Sequence, residues 1–288
     1  RNARYLPDHR IAPAVRATAS IEEAVREADV LVMGVPSIGM RDVLAEVARF
    51  LRPWVPIVSL AKGLEPGSNL RMTEVIRDVL PEHRAGVLTG PNLSREILSG
   101  FAAASVIAFD DLDLARQLQA VFHSGLFRVY TNPDVVGCEL GGALKNVIAI
   151  ASGMGDGLGV GDNTRAAVIT RGLAELSRLG VAMGGRAETF SGLAGMGDLI
   201  ATCTSRQSRN RYVGEQLGRG RRIAEITAEM NQVAEGVKTT RVVMDLAAIH
   251  GVGMPIAREV YGVLYEGRTA TDAYMGLTPR PGAESEPD

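Results

Sequence analysis

Gly141-Gly142-Ala143-Leu144-Lys145-Asn146-Val147-Ile148-Ala149-Ile150 marks the point where this chain changes character. Leu140, Leu144, Val147, Ile148 and Ala151 recur at helical spacing, so the segment reads as a largely buried helix carrying one ammonium group. A helical side chain leans back over the preceding turn, which sets Lys145 above Gly141 and Gly142 and leaves room there for a ligand. Partial desolvation pushes a lysine pKa down toward neutrality, where it exchanges protons efficiently, so Lys145 is a candidate general acid or base. The same pattern fits a lysine whose stem lies along an amphipathic helix with its head in water.

Upstream of this helix, from Ser20 to about Thr131, short apolar runs alternate with helical periods, the pattern of a parallel sheet flanked by helices. Ser20 with Glu23 predicts a capping box, and strands are expected over 29–35, 56–60, 86–89 and near 102–109 and 126–131. Three polar turns follow three of them: Pro36-Ser37, Ala61-Lys62-Gly63 and Gly90-Pro91-Asn92. If the strands are parallel, these turns share the carboxyl edge, where open α/β sheets bind ligands. Beyond Pro133 only helical periods remain, near 134–152, 163–180, 206–219, 237–250 and 255–266. The tail 279–288 is proline-rich and acidic and reads as disordered.

With 288 residues and 46% hydrophobic content, the chain is long enough for two domains, and its mean hydropathy is +0.07. A net charge of −2 gives no overall field for nucleic acid or an anionic membrane, so neither is expected as a partner. Cys138 and Cys203 lie far apart, and the four histidines are scattered, so neither a zinc site nor a disulfide framework is suggested. No apolar run approaches a membrane span and no signal peptide is visible, which makes a cytoplasmic location the expectation. The chain starts without methionine in a polar, turn-like segment, from which upstream sequence is expected to be missing.

Ser205-Arg206-Gln207-Ser208-Arg209-Asn210-Arg211 collects planar guanidinium forks and neutral donors suited to a phosphate group, although a solvated basic helix face has the same composition. Asp198 ends the glycine-rich turn Ser191–Asp198 and could orient Lys145 or simply cap the next helix. Gly153-Met-Gly-Asp-Gly-Leu-Gly-Val-Gly161 lacks the GxGxxG spacing and a preceding strand, so it is expected to be a flexible link between helices. Val35-Pro36-Ser37-Ile38-Gly39 has the strand-to-helix context of a nucleophile elbow, but valine replaces the first small residue, which speaks against a serine hydrolase.

Val35-Pro36-Ser37, Lys62-Gly63, Gly90-Pro91-Asn92, Gly141 to Asn146, Asn163 to Gly172, Ala194 to Leu199 and Glu235-Gly236-Val237, in that order, closely resemble bacterial NAD(P)-dependent glycerol-3-phosphate dehydrogenase. The resemblance implies a Rossmann-type parallel sheet domain over 1–132, its first βαβ unit truncated, joined to an all-helical domain like that of 6-phosphogluconate dehydrogenase over 133–278. It implies a homodimer using NAD or NADP, with NADPH the expected form, that supplies glycerol 3-phosphate for phospholipid synthesis. Lys145 then resembles the group that takes the C2 hydroxyl proton, and Lys62 a second lysine touching substrate and cofactor. Gly90, Asn92 and Asp198 match substrate contacts, and Ser208, Arg209 and Asn210 match the segment that holds the substrate phosphate. Ser94, Arg209, Val233 and Glu235 match positions beside the dinucleotide.

The chain departs from the pattern at Asn92-Leu93, where the family often has a hydroxyl residue and an aromatic. The opening strand and GxGxxG turn are also absent, from which a long exposed apolar sheet edge and no appreciable nicotinamide binding by these 288 residues alone are expected. A related β-hydroxyacid or ketopantoate-type dehydrogenase would also use a helix-borne lysine and differ in the anion cradle. A catalytically inactive nucleotide-binding scaffold is the alternative outside enzymology.

Overall fold

The computed structural model describes residues 6–230 and 234–277. Strands β1 (Leu31–Met33), β2 (Ile57–Ser59), β3 (Ala85–Thr89), β4 (Ala103–Ala108) and β5 (Phe127–Asn132) form one sheet in that order. α1 (Ile21–Val25) precedes β1, and the connections between the strands carry α2 (Met40–Val47), α3 (Met72–Val79), α4 (Ser94–Leu98) and α5 (Leu112–Phe122). Neighbouring strand residues face opposite ways, so Ile57 joins the apolar cluster with α2 and α3 while Val58 joins the one with α5. The sheet is covered on both faces.

β1, β2 and β3 are parallel, which brings the three polar turns to one edge as expected. β4 runs antiparallel to β3, and β5 follows β4, so the all-parallel expectation needs correction. The cause lies in the connections: α4 spans only five residues and leaves the chain at the carboxyl edge, whereas the longer α5 carries it back across the sheet. The edge at β1 is three residues long rather than an extended apolar one, with Val32 41% exposed and Pro36 following shortly. The capping box at α1 is half made. Ser20 Oγ accepts from Glu23 N at 3.2 Å, while the Glu23 carboxylate accepts from Thr18 instead.

The helical half comprises α6 (Val135–Leu158), α7 (Asp162–Ala182), α8 (Ala187–Phe190), α9 (Asp198–Thr204), α10 (Arg209–Gly218), α11 (Ile223–Glu229), α12 (Glu235–His250), α13 (Pro255–Tyr265) and α14 (Ala270–Gly276). α6 is the axle on which α7, α9, α10, α12 and α13 pack. By length and composition alone it could cross a membrane, but 94% of its most apolar window is buried inside the protein. That burial identifies it as a core helix.

The glycine run expected to link two helices lies mostly within α6, which continues to Leu158. A Cβ on Gly153 would stand 2.1 Å from Arg211 O, and one on Gly157 2.3 Å from Glu215 O. Gly214 and Gly218 of α10 answer them against Ile150 O and Met154 O. Four glycines thus let two helix backbones touch, and close packing offsets their poor helix propensity of about 1 kcal/mol each.

Candidate active site

Lys145 is 4% exposed, and its Nζ donates to Asp198 Oδ1 at 2.6 Å and to Thr202 Oγ1 at 2.5 Å. From the sheet side, Lys62 Nζ donates to Gly90 O and Asn92 Oδ1, both at 2.8 Å. It also reaches Asp198 Oδ2 at 2.8 Å as an ion pair, off the alignment of a hydrogen bond, so Oδ2 lacks a hydrogen-bonding partner. One buried carboxylate therefore sits between two ammonium groups, one from each half of the chain.

The local sequence explains this placement. Asp198 opens α9 directly after a π-helical turn over Leu193–Gly197, a device that often marks functional sites. The turn packs on α6 at Gly141, where a Cβ would stand 2.5 Å from Ala194 O. A Cβ on Gly142 would stand 2.7 Å from Thr89 Oγ1 and 3.6 Å from Lys62 Cγ. The expected ligand space above these glycines is therefore filled by protein, and the glycines serve to bring Asp198 and Lys62 close to Lys145.

Burial pushes the Lys145 pKa down; Asp198 pulls it up and Lys62 pushes it down further, leaving it at about 8. For Asp198, burial favours the neutral acid, but Lys145 and Lys62 outweigh it and hold the pKa below the usual range. The cluster thus keeps an ionised carboxylate beside an amine poised near neutrality.

A second chain of polar contacts crosses between the halves. Asn146 Nδ2 donates to Lys62 O at 2.7 Å, Asn210 Nδ2 donates to Asn146 Oδ1 at 2.8 Å, and Gly236 N donates to Asn210 Oδ1 at 3.0 Å. Glu235 accepts from Ser37 N at 3.1 Å and from Ser37 Oγ at 2.6 Å. Gly63 lies beside them, where a Cβ would stand 2.3 Å from Glu235 Oε2. The three sheet-edge turns therefore converge on Asp198, Asn146 and Glu235, and Thr202, Asn146 and Ser37 are members that the sequence reading gave no role.

Ser208 caps α10, its Oγ accepting from Arg211 N at 3.2 Å. Arg209 is exposed at the first position of that helix and Asn210 is buried. Arg211, read from sequence as part of the anion cradle, turns inward to pair with Asp156 and with Glu215 at 3.2 Å. It belongs to the packing of α10 on α6. Ser94 is exposed at the start of α4, two residues beyond Asn92. Val233 and the tail 279–288 lie outside the described residues.

A sheet whose carboxyl edge faces a lysine-bearing helical unit is the architecture of a two-part Rossmann-type oxidoreductase. At that edge Lys62 and Asn92 are half-buried beside the buried Asp198 carboxylate, and Ser94 is exposed two residues beyond Asn92, polar groups of the kind a nucleotide and a small polar substrate would meet.

The profile described as NAD-dependent glycerol-3-phosphate dehydrogenase N-terminus matches residues 1–115, and its C-terminus counterpart matches residues 134–275. A glycerol-3-phosphate dehydrogenase [NAD(P)+] 2 of Sphingopyxis alaskensis is 63% identical over 276 residues, covering 96% of this chain and 83% of the relative. That of Mycobacterium avium is 59% identical over 278 residues, covering 96% and 82%. The crystal structure of glycerol-3-phosphate dehydrogenase from Coxiella burnetii superposes with a TM-score of 0.93 at 35% identity, covering 97% of this chain and 86% of that one. The chain belongs to the NAD-dependent glycerol-3-phosphate dehydrogenase family.

Proposed function

We propose that this chain interconverts sn-glycerol 3-phosphate and dihydroxyacetone phosphate with NAD or NADP, and that Lys145 is its general acid and base. The observation that carries the assignment is the buried amine at about pKa 8, held by Asp198 and flanked by Lys62. A bound nicotinamide supplies the hydride acceptor or donor. Lys145 moves the proton. In oxidation its neutral form takes the C2 hydroxyl proton, and in reduction its ammonium form protonates the carbonyl oxygen. At pH 7 about a tenth of such a lysine is neutral, against roughly three in ten thousand at an ordinary lysine pKa, so both directions remain open.

Lys62 adds a second positive charge toward the oxygen that becomes negative in reduction, and Asn92 and Gly90 fix its amine. Ser208, Arg209 and Asn210 supply donors for the substrate phosphate at the start of α10, with Arg209 as the charged fork. Lys62, Ser94, Arg209, Val233 and Glu235 would hold the dinucleotide. A homodimer, implied by the family resemblance, and a cytoplasmic location, expected from the sequence, belong to the same proposal; sedimentation of the purified enzyme reads the first.

Lys145→Ala in the full-length enzyme is expected to lower turnover with dihydroxyacetone phosphate by a factor on the order of 100 or more. Near-normal turnover would remove Lys145 from the mechanism. A full-length enzyme that reduced a carboxylate-bearing keto acid faster than dihydroxyacetone phosphate would overturn the substrate assignment.

A further inference from the structure

Away from the reacting groups, a second buried charge pair joins the two halves of the chain. Glu139 on α6 is 6% exposed, and Arg71 and Thr73 at the start of α3 are 7% and 0% exposed. Arg71 Nη1 donates to Glu139 Oε2 at 2.6 Å, Thr73 Oγ1 donates to the same oxygen at 2.5 Å, and Thr73 N donates to Oε1 at 2.9 Å. The Arg71 side chain also spans to Glu74 Oε1 at 2.8 Å. α3 thus receives at its N-terminus a carboxylate supplied by a helix of the other unit, where a negative charge meets unpaired amides and the helix dipole.

We infer that Glu139 is a positioning residue: its grip on Arg71 and the first turn of α3 fixes α6 against the sheet unit and so sets Lys145 opposite Lys62. The inference rests on the proposed role of Lys145. Glu139 precedes Lys145 by six positions, a rise of about 9 Å along one rigid helix, so a rotation or slide of α6 at Glu139 is passed on to the amine. At the other end of that span, Asn146 Nδ2 holds Lys62 O at 2.7 Å. The hook and this amide together fix both the distance and the roll of α6. Stability alone is a poor explanation for the hook, because a buried ion pair is often replaced by well-packed apolar groups at no net loss. Directional contacts on both carboxylate oxygens supply instead what an apolar contact lacks, a single orientation.

Two variants test this in the full-length enzyme. Glu139→Gln keeps the shape and an acceptor for Thr73 N but removes the charge facing Arg71. Arg71→Met with Glu139→Leu replaces the pair by apolar groups. Both are expected to fold, to lose kcat by a factor on the order of 10 to 100, and to change the pH profile as Lys62 and Asp198 shift against Lys145. A role in stability alone would lower the melting temperature and leave kcat per folded enzyme and its pH profile unchanged. If Glu139→Gln is folded and keeps the parental kcat and profile, the inference is wrong, whether or not the double variant folds.

Spin labels at Trp54→Cys and Ile249→Cys, both sites more than 60% exposed and on different units, read the orientation independently of turnover. The native cysteines are buried and stay unlabelled. A distance distribution that is narrow in the parent and unchanged in both variants also overturns the hook. A parent enzyme without activity on dihydroxyacetone phosphate would defeat the functional reading while leaving this measurement decisive.

Discussion

Asp198→Asn and Lys62→Met should move the alkaline limb of the reduction rate, set by loss of the Lys145 proton, in opposite directions. Asp198 accepts from Lys145 at 2.6 Å inside the protein, and its charge raises the Lys145 pKa while Lys62 lowers it. Removing one member of a buried charge pair costs about 3–5 kcal/mol, and at 1.36 kcal/mol per unit that corresponds to roughly 2–4 units of pKa. In Asp198→Asn the amine sheds that cost by giving up its proton, so a limb near 8 in the parent falls below about 6. At pH 7 the ammonium fraction then drops from about nine-tenths to under a tenth, and reduction loses about tenfold from protonation alone, with a further loss from misorientation. Lys62→Met also slows turnover, because it removes a charge at the substrate, yet its limb moves above 8. The assay is the initial rate of NADPH oxidation with saturating dihydroxyacetone phosphate over roughly pH 5.5 to 9.5. Limbs that stay at the parental pH in both variants, or that move the same way, would refute the argument that Asp198 and Lys62 set the pKa of the Lys145 amine proposed as the acid.

Gly214→Ala places a methyl group 2.0 Å from Ile150 O, so despite the better helix propensity of alanine the variant should lose about 1–3 kcal/mol or more, seen as a melting temperature lower by roughly 5 °C. An unchanged melt would mean that α6 and α10 can separate at no cost. Glu175 on α7 accepts from Ile256 N at 2.7 Å and Ala257 N at 3.3 Å at the start of α13, and burial raises its pKa to about 7. The folded state therefore holds this proton more tightly than the unfolded chain, and stability falls as pH rises from about 4.5 to about 7. Glu175→Gln removes that titration, so its melting temperature should gain on the parent between pH 5 and pH 8, by the equivalent of up to ~3 kcal/mol; a pH-independent difference is the contrary result. Arg209→Leu should raise KM for dihydroxyacetone phosphate by a factor on the order of 10 to 100 and leave activity on unphosphorylated dihydroxyacetone nearly unchanged, an equal loss on both being the outcome that removes Arg209 from the phosphate grip.

The turns at Ser37, Lys62 and Gly90 were legible because each follows an apolar run and carries its own turn chemistry. The direction of β4 was not, since a strand of given composition runs either way and only the path of its connection decides. The glycine run at 153–161 was misread for a related reason: glycine is a breaker in isolation and a contact surface when a second helix presents glycine opposite it, and that partner, Gly214 with Gly218, lies some sixty residues away. Arg206, Arg209 and Arg211 looked like one patch in the sequence. On a helix Arg211 points about 200° away from Arg209, which carries it to Asp156. Thr202 was within reach, because it stands one helical turn after Asp198 and a hydroxyl four residues from a carboxylate on a helix shares its face.

The polar residues of α6 explain why this helix had to be buried to work. Glu139, Lys145 and Asn146 are each below a tenth exposed, and each takes its partners from a different part of the chain: the start of α3, then α9, then the turn after β2 together with α10. On a solvated helix such contacts would compete with water and be worth little. In the interior each is obligatory, because a missed partner leaves a desolvated polar group costing about 1–3 kcal/mol, more when charged. A one-residue slip of α6 would turn all three by about 100° and strand them together, so the native register is separated from its neighbours by several kcal/mol of unmet polar groups. The interactions that bring Lys145 to Asp198 and Lys62 are therefore the same ones that give the two halves of the chain a single way to fit.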